Sequence, residues 1–136
     1  MLALEAGAQA ALVFDSGMAA IMTALLTFAR PGQSIVYTVP IYGGTQHLIE
    51  DFLETLGIHG IPVGAGRTQD IDDTIRSAKN LAILLIETPA NPTILMTSIQ
   101  QAASTAAKLN LLSCPHTIHL HPLIAKHQGW KNVTVR

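Results

Sequence analysis

The stretch Leu81-Ala-Ile-Leu-Leu-Ile86 is an unbroken apolar run, and Glu87-Thr-Pro-Ala-Asn-Pro92 follows it directly. A strand that is apolar on both faces is typical of a parallel sheet covered by helices. Ligands of such sheets bind beyond the carboxyl ends of the strands, which is where Glu87 and Asn91 are placed. The two prolines restrict the backbone on either side of the loop. The stretch therefore predicts a ligand-contacting loop, although a plain strand-to-helix connection would show the same pattern.

Strand and helix patterns alternate along the rest of the chain. The predicted strands cover 11–14, 34–39, 58–63 and 81–86, and the predicted helices cover about 2–11, 19–28, 45–56, 70–78 and 98–110. Asp15 or Ser16 is a suitable N-cap for the second helix, Gly57 a stop for the third and Asp70 a cap for the fourth. This alternation predicts an α/β fold, a largely parallel sheet with right-handed crossovers and helices on both faces.

Composition narrows the class of protein. The 136 residues suffice for one domain, but 49% are hydrophobic, only 12% are charged and the mean hydropathy is +0.36. Charged residues usually approach a quarter of a free-standing domain, so we expect either cover from another chain or a piece of something larger. In a piece of a larger sheet, apolar strand edges and helix faces would lie open, so we expect the isolated chain to be poorly soluble or oligomeric.

Charge and cysteine content argue against nucleic acid or a membrane surface as a partner and against an oxidising compartment. The net charge of −1 gives no electrostatic case for nucleic acid or an anionic membrane surface. The single cysteine, Cys114, excludes an internal disulfide and favours a reducing, cytoplasmic location. No window of 18 uninterrupted apolar residues predicts a membrane span, and the first residues lack the basic start of a secretory signal.

Three short segments carry residues that could act on a ligand. Ser16-Gly17-Met18 opens a predicted helix, whose unpaired N–H groups and positive dipole end can hold a phosphate. Tyr42 follows a predicted strand in a glycine-containing loop, where its ring could stack on a flat heteroaromatic ligand and its hydroxyl could exchange a proton. Asn91 could donate its amide to a ring oxygen, and Glu87 could orient both. Each segment also has an ordinary structural explanation as a cap, a packed ring or a turn.

Taken together, the segments match a family pattern. Asp15-Ser-Gly-Met-Ala-Ala20, Ile41-Tyr-Gly-Gly-Thr45 and Glu87-Thr-Pro-Ala-Asn-Pro92 closely resemble the Cys/Met-metabolism, or transsulfuration, family of pyridoxal-phosphate (PLP) enzymes. That family includes cystathionine γ-synthase, cystathionine γ-lyase, methionine γ-lyase and the homoserine-ester sulfhydrylases. The resemblance covers about residues 2–110.

The resemblance implies a fold, a cofactor and residue roles. The fold would be part of the large domain of the aspartate-aminotransferase-like, type I PLP enzymes, and the cofactor would be pyridoxal 5′-phosphate. By resemblance, Ser16, Gly17 and Met18 belong to the phosphate site, and Tyr42 stacks on the ring and helps to activate the substrate amine. Asn91 would contact the ring's phenolic oxygen, and Glu87 would complete the cofactor site. The implied substrates are sulfur amino acids or homoserine esters, processed by γ-elimination or γ-replacement in a homo-oligomer, a dimer or tetramer.

The sequence also departs from the family. No Val-Asp-Asn-Thr-type motif supplies the aspartate that pairs with the pyridine nitrogen, and no Ser-x-x-Lys-type loop supplies the Schiff-base lysine. Lys108, Lys126 and Lys131 all lack that setting. We therefore expect a partial PLP-binding domain over 1–110 and a divergent tail over 111–136, frameshifted or disordered, in a chain that is inactive alone.

Two alternative functions stay open, and the tail raises the question of a metal site. The chain could be a non-catalytic remnant, or a small α/β protein that binds a phosphate-bearing ligand. The tail holds four histidines, of which His119 and His121 would share a face if the segment were extended. Because no carboxylate or second cysteine stands at ligand spacing, we assign no metal site.

Overall fold

A computed structural model describes residues 10–12, 14–90, 93–98, 100, 104, 116–119, 125–127 and 130–135. Its strands are β1 (Ala10–Leu12), β2 (Ser34–Val39), β3 (His59–Gly64), β4 (Leu81–Ile86), β5 (His116–His119), β6 (Ala125–His127) and β7 (Trp130–Val135). The described strands form one sheet in the order β1-β7-β6-β5-β4-β2-β3. Pairing is parallel between β1 and β7, β2 and β3, β2 and β4, and β4 and β5, while β6 runs antiparallel to both of its neighbours. The predicted largely parallel sheet is confirmed.

Three helices and one π-helical segment have both of their ends within the described residues. Helix α1 is Gly17–Phe28, α2 is Gly43–His47, and α3 is Thr68–Ser77. The chain continues from α2 into a π-helical segment, Leu48–Leu53. None of the helices in the described part of the chain has both the length and the apolar character needed to cross a membrane.

The central strands are apolar on both faces because each face is covered by a helix. Ile35 and Tyr37 of β2 pack with residues of α1 and the π-helical segment on one face. Val36 of β2 packs on the other face with Ile71 and Ile75 of α3. All six residues of β4 are buried, as the unbroken apolar run predicts. The predicted arrangement of helices on both faces is confirmed.

Local signals for where helices begin and end were right at two predicted positions and wrong at a third. Ser16 caps α1, and its Oγ accepts a hydrogen bond from Ala19 N–H at 3.1 Å. Gly57 adopts a φ of 74°, the left-handed geometry of a helix stop. Asp70 is not a cap, because α3 begins at Thr68 with Arg67 in the N-cap position. The turn before α3, with an Arg67 N–H to Gly64 carbonyl bond of 3.3 Å, starts the helix earlier than the polar pattern indicates.

The last strands differ from the sequence expectation. Residues after 111 show no clear strand pattern, yet β5 pairs in parallel with β4, with Ile83 opposite His116 and Ile86 opposite His119. Strand pairing satisfies the backbone groups along the edge of β4, and that requirement does not depend on an apolar side-chain pattern. The predicted helix at 2–11 lies almost wholly outside the described residues, as does most of the one at 98–110.

Candidate ligand site at the carboxyl edge of the sheet

The carboxyl ends of β2, β3 and β4 meet at one edge because these strands are parallel. Tyr42 follows β2 and Glu87 follows β4, so both are delivered to this edge by strands that are fixed in the core. Helix α1 reaches the same neighbourhood with its first turn, since Met18 packs against the cluster that contains Ile41. The edge therefore brings together three segments that are far apart in the chain.

The first turn of α1 presents backbone donors. Ala19 N–H is taken by the Ser16 side chain, and Ala20 N–H bonds the Ser16 carbonyl at 3.1 Å. Among the described residues, no acceptor bonds the N–H groups of Gly17 and Met18. A Cβ built on Gly17 would meet nothing within 4 Å, so the backbone there is open to close approach. Two unpaired donors at the positive end of a twelve-residue helix can hold an anionic group.

Tyr42 and Met18 are close neighbours across Gly44. A Cβ at position 44 would lie 2.7 Å from Cε1 of Tyr42 and 3.2 Å from Sδ of Met18. The Met18 sulfur also lies 3.8 Å from Oγ1 of the buried Thr45. The α1 terminus and the Tyr42 loop are therefore in direct contact, and a side chain larger than glycine at position 44 would have to displace the Tyr42 ring.

The backbone of Tyr42 is held on both sides while its ring stays accessible. Its N–H donates to Oε2 of Glu87 at 3.0 Å, and its carbonyl accepts the N–H groups of Thr45 and Gln46 at 2.9 and 3.0 Å. The residue is 52% exposed. An anchored backbone with an exposed aromatic ring suits a stacking platform for a flat ligand.

Buried threonines link the carboxyl edge of the sheet to the neighbouring loops through hydrogen bonds. Thr38 Oγ1 accepts the Glu87 N–H at 3.1 Å. Further along, Thr97 donates its N–H to Thr88 Oγ1 and accepts Gly66 N–H on its own hydroxyl, both at 3.0 Å. These bonds tie the segment after β4 to β2 and to the turn after β3.

A second polar cluster lies under the π-helical segment. The Tyr37 hydroxyl donates to Glu50 Oε1 at 2.5 Å, and the Gln46 side chain donates to the same carboxylate at 3.1 Å. Burial, and then the bond to Glu50, raise the pKa of the Tyr37 hydroxyl well above its ordinary value. This tyrosine is 1% exposed and stays protonated, so it acts in packing and hydrogen bonding.

Most, but not all, of the sequence-predicted site residues can be placed. The structure brings Met18, Tyr42 and Glu87 together at the edge and puts Ser16 and Gly17 at the open start of α1. Asn91 lies outside the described residues, so its role stays a prediction. Sequence reasoning missed Thr38 and Thr97, because no local signal distinguishes a threonine that bonds a distant loop from one that fills a strand or turn.

A metal centre finds no support within the described residues, where no three His, Cys, Asp or Glu side chains group as metal ligands. The two pairs of histidine and carboxylate that do occur there, His47 with Asp51 and His59 with Glu54, are exposed contacts of 2.8 and 3.0 Å on and beside the π-helical segment. Cys114 and His121 of the tail lie outside the described residues.

Comparison with known proteins yields one family. The model of the family described as "Cys/Met metabolism PLP-dependent enzyme" matches residues 1–126. Cystathionine gamma-lyase of Bacillus subtilis is 36% identical over 109 residues, which is 80% of this chain and 28% of that protein.

Solved structures agree with the sequence match. O-Acetylhomoserine sulfhydrylase of Wolinella succinogenes superposes with a TM-score of 0.76 at 27% identity, over 87% of this chain and 33% of that one. A Campylobacter jejuni protein described as an O-acetylhomoserine (thiol)-lyase, with N′-pyridoxyl-lysine-5′-monophosphate in its structure, gives a TM-score of 0.65 at 30% identity. That match covers 76% of this chain and 24% of the other.

The chain thus spans 24% to 33% of the length of these relatives. Their likeness confirms the predicted fold class, the PLP-dependent large-domain fold, and the predicted family, whose cofactor is pyridoxal phosphate. The chain belongs to the Cys/Met-metabolism family of PLP-dependent enzymes.

Proposed function

We propose that this chain binds pyridoxal 5′-phosphate at the carboxyl edge of its sheet. The phosphate would take the N–H groups of Gly17 and Met18 in the turn that Ser16 caps, and the ring would lie against Tyr42. The observation that carries the proposal is the contact of the α1 terminus with the Tyr42 loop around Gly44, because it places anion donors beside an exposed aromatic ring.

The chemistry proposed for the whole enzyme is γ-elimination or γ-replacement on sulfur amino acids or homoserine esters. The bound cofactor supplies an electron sink for negative charge that develops on the substrate carbon. In this chain, Tyr42 would position the ring and hold or accept a proton at its hydroxyl, with Asn91 proposed to contact the ring's phenolic oxygen.

The Schiff-base lysine stays unassigned. Lys79 lies two residues before β4, at the amino edge of the sheet, and its carbonyl accepts a bond from Ser34 Oγ at 2.9 Å. That edge is opposite to the proposed site. We therefore propose that residues 1–110 bind the cofactor through phosphate and ring contacts alone, without turnover by this chain, and that residues 111–136 form a divergent tail.

The contributions of the phosphate, the ring and the aldehyde can be distinguished by measuring the affinity of three ligands by equilibrium dialysis. Pyridoxal phosphate has both the phosphate and the aldehyde, pyridoxine 5′-phosphate lacks the aldehyde, and pyridoxine lacks the phosphate. Since charge-assisted hydrogen bonds contribute about 1.5–3 kcal/mol, we expect the two phosphate esters to bind alike and pyridoxine to bind at least about tenfold more weakly. Borohydride should leave no ligand attached to the protein.

Other results would contradict the proposal. Equal affinity for pyridoxine and its phosphate would remove the phosphate site at α1. Covalent capture of pyridoxal phosphate by borohydride on a specific lysine would show that the chain does carry a Schiff-base residue. Inorganic phosphate bound as tightly as the ring compounds would instead support the small phosphate-ligand-binding protein.

We also propose a cytoplasmic, homo-oligomeric protein. The single cysteine supports a reducing compartment. Exposed apolar side chains support association, with Leu12 64%, Ile94 73% and Met96 67% exposed. Sedimentation of the native protein tests the oligomeric state, and a monodisperse monomer would contradict it.

A further inference from the structure

Glu87 is a carboxylate with little access to water, at the end of the most buried strand. The residue is 7% exposed, and it directly follows β4. Taking a carboxylate out of water is unfavourable unless hydrogen bonds replace its hydration. Oε2 meets this requirement by accepting the Tyr42 N–H at 3.0 Å, across 45 positions of sequence.

The position of Glu87 is itself determined by β2. Its own N–H donates to the Thr38 hydroxyl at 3.1 Å, and Thr38 is fully buried. One continuous path therefore runs from the core of β2 through the backbone of Glu87 and its carboxylate to the backbone of Tyr42. Each link is made by a buried side chain or by the main chain, so the path has little freedom to move.

The bond acts on the backbone of Tyr42 and leaves the ring accessible. The carbonyl of Tyr42 is already taken by the first turn of α2. The Glu87 bond adds the restraint on the N–H side, at the point where the chain leaves the loop after β2. A carboxylate accepts such a bond more strongly than a neutral group does.

We infer that Glu87 is a positioning residue for Tyr42, acting through the backbone N–H of the tyrosine. This inference rests on the proposed function for the meaning of Tyr42 as a ring platform. Without the Glu87 bond, the loop would have to be ordered when the ligand binds, and that ordering would reduce affinity. We therefore expect the effect of Glu87 on ligand binding to be transmitted through Tyr42.

A double-mutant cycle with pyridoxine 5′-phosphate tests this dependence. In the protein with wild-type Tyr42, Glu87→Ala should weaken ligand binding by about three- to tenfold. Glu87→Gln, which keeps an acceptor oxygen, should weaken it less. In the Tyr42→Ala protein, Glu87→Ala should have almost no further effect. An equal loss in both backgrounds would overturn the inference, because it would mean that Glu87 contacts the ligand itself.

Amide exchange in the protein without ligand tests the bond independently of the proposed function. Glu87→Ala should speed exchange of the Tyr42 amide by about tenfold or more, while the Ala20 amide in α1 keeps its wild-type rate. Unchanged exchange at Tyr42 would overturn the inference even if the ligand bound well. Failure of the wild-type protein to bind the ligand would count against the proposed function only, and exchange would still decide the role of Glu87.

A measurement on the wild-type protein covers the case in which the Glu87 variants do not fold. Scalar coupling across the hydrogen bond should connect Tyr42 N to Glu87 Cδ in a long-range NMR experiment. Its presence supports the inference. Its absence, with comparable couplings detected elsewhere in the sheet, would overturn it.

Discussion

Met18 and Tyr42 approach the same backbone position, so that a Cβ at Gly44 would lie 3.2 Å from the Met18 sulfur and 2.7 Å from Cε1 of the Tyr42 ring. We expect Gly44→Ala to displace the ring, because the exposed ring yields more easily than the core. Alanine also favours the helix by about 1 kcal/mol, so thermal stability should change little. Affinity for pyridoxine 5′-phosphate should fall several-fold. Gly43→Ala is the matched control, since a Cβ there meets nothing within 4 Å, and it should bind as wild type does.

The proposed phosphate donors can be removed one at a time. Gly17→Pro should preserve α1, because proline is favoured at the first helical position and Ser16 already has the extended geometry, φ −150° and ψ 157°, that precedes proline. It deletes the Gly17 N–H, so affinity for the phosphate ester should fall by about tenfold while affinity for pyridoxine stays unchanged. Gly17→Ala keeps the donor and serves as the control. Equal affinities for the two variants would count against the α1 phosphate site.

Tyr37 should make stability sensitive to alkaline pH. Burial raises the pKa of its hydroxyl in the folded protein, so the unfolded chain, with an ordinary value near 10.0, releases the proton first. The contribution of this group is therefore complete below pH 10 and is lost as the pH rises further. Denaturant titrations should show a steeper alkaline decline for wild type than for Tyr37→Phe, which lacks the ionisable group. At neutral pH the variant should be about 1 kcal/mol less stable, because its bond to Glu50 is gone. Parallel alkaline curves would contradict the assignment.

Glu54 should make the stability of the folded protein sensitive to acid pH. Its bond from His59, at 3.0 Å, lowers the pKa of the carboxyl below its ordinary value. A lowered folded-state pKa gives stability that is present above the unfolded value and lost as the pH falls through the folded one. Wild type should therefore exceed Glu54→Gln in stability at pH 7, and the difference should vanish in acid. High salt should reduce it, since both groups are exposed. In a His59→Gln background, a difference that persisted unchanged would show that the histidine is not its source.

Thr97 should stabilise the segment after β4 through its hydroxyl. Thr97→Val keeps the shape but leaves the Gly66 N–H without its 3.0 Å acceptor. The bond is only partly buried, so its loss should cost about 1 kcal/mol, measurable as a lower denaturation midpoint. Thr97→Ser retains the hydroxyl and should recover most of that loss. Should both variants lose equally, the effect would come from packing of the methyl group.

Local signals predicted the parts of this chain that depend on neighbouring residues. The β-branched run in β2 and the apolar run in β4 predicted strands, and the cap of α1 was narrowed to Asp15 or Ser16, because strand burial and helix capping are encoded within a few positions. The predicted start of α3 was wrong because the turn that precedes the helix determines where it begins. Asp70 lies in the first turn of α3, in an ion pair with Arg67 at 3.6 Å. The π-helical segment also escaped prediction, since its apolar spacing matches that of an ordinary helix.

The sequence by itself determined the family, the α/β alternation and the segments that carry candidate ligand groups. Only the tertiary structure decided how those groups meet: that Met18 and Tyr42 both lie against Gly44, and that the Glu87 carboxylate accepts a bond from a backbone N–H 45 positions away. Short-range patterns record which residues are buried or exposed. Parallel strand pairing brings distant loops to one edge, and the partners that result have no signature in either segment alone.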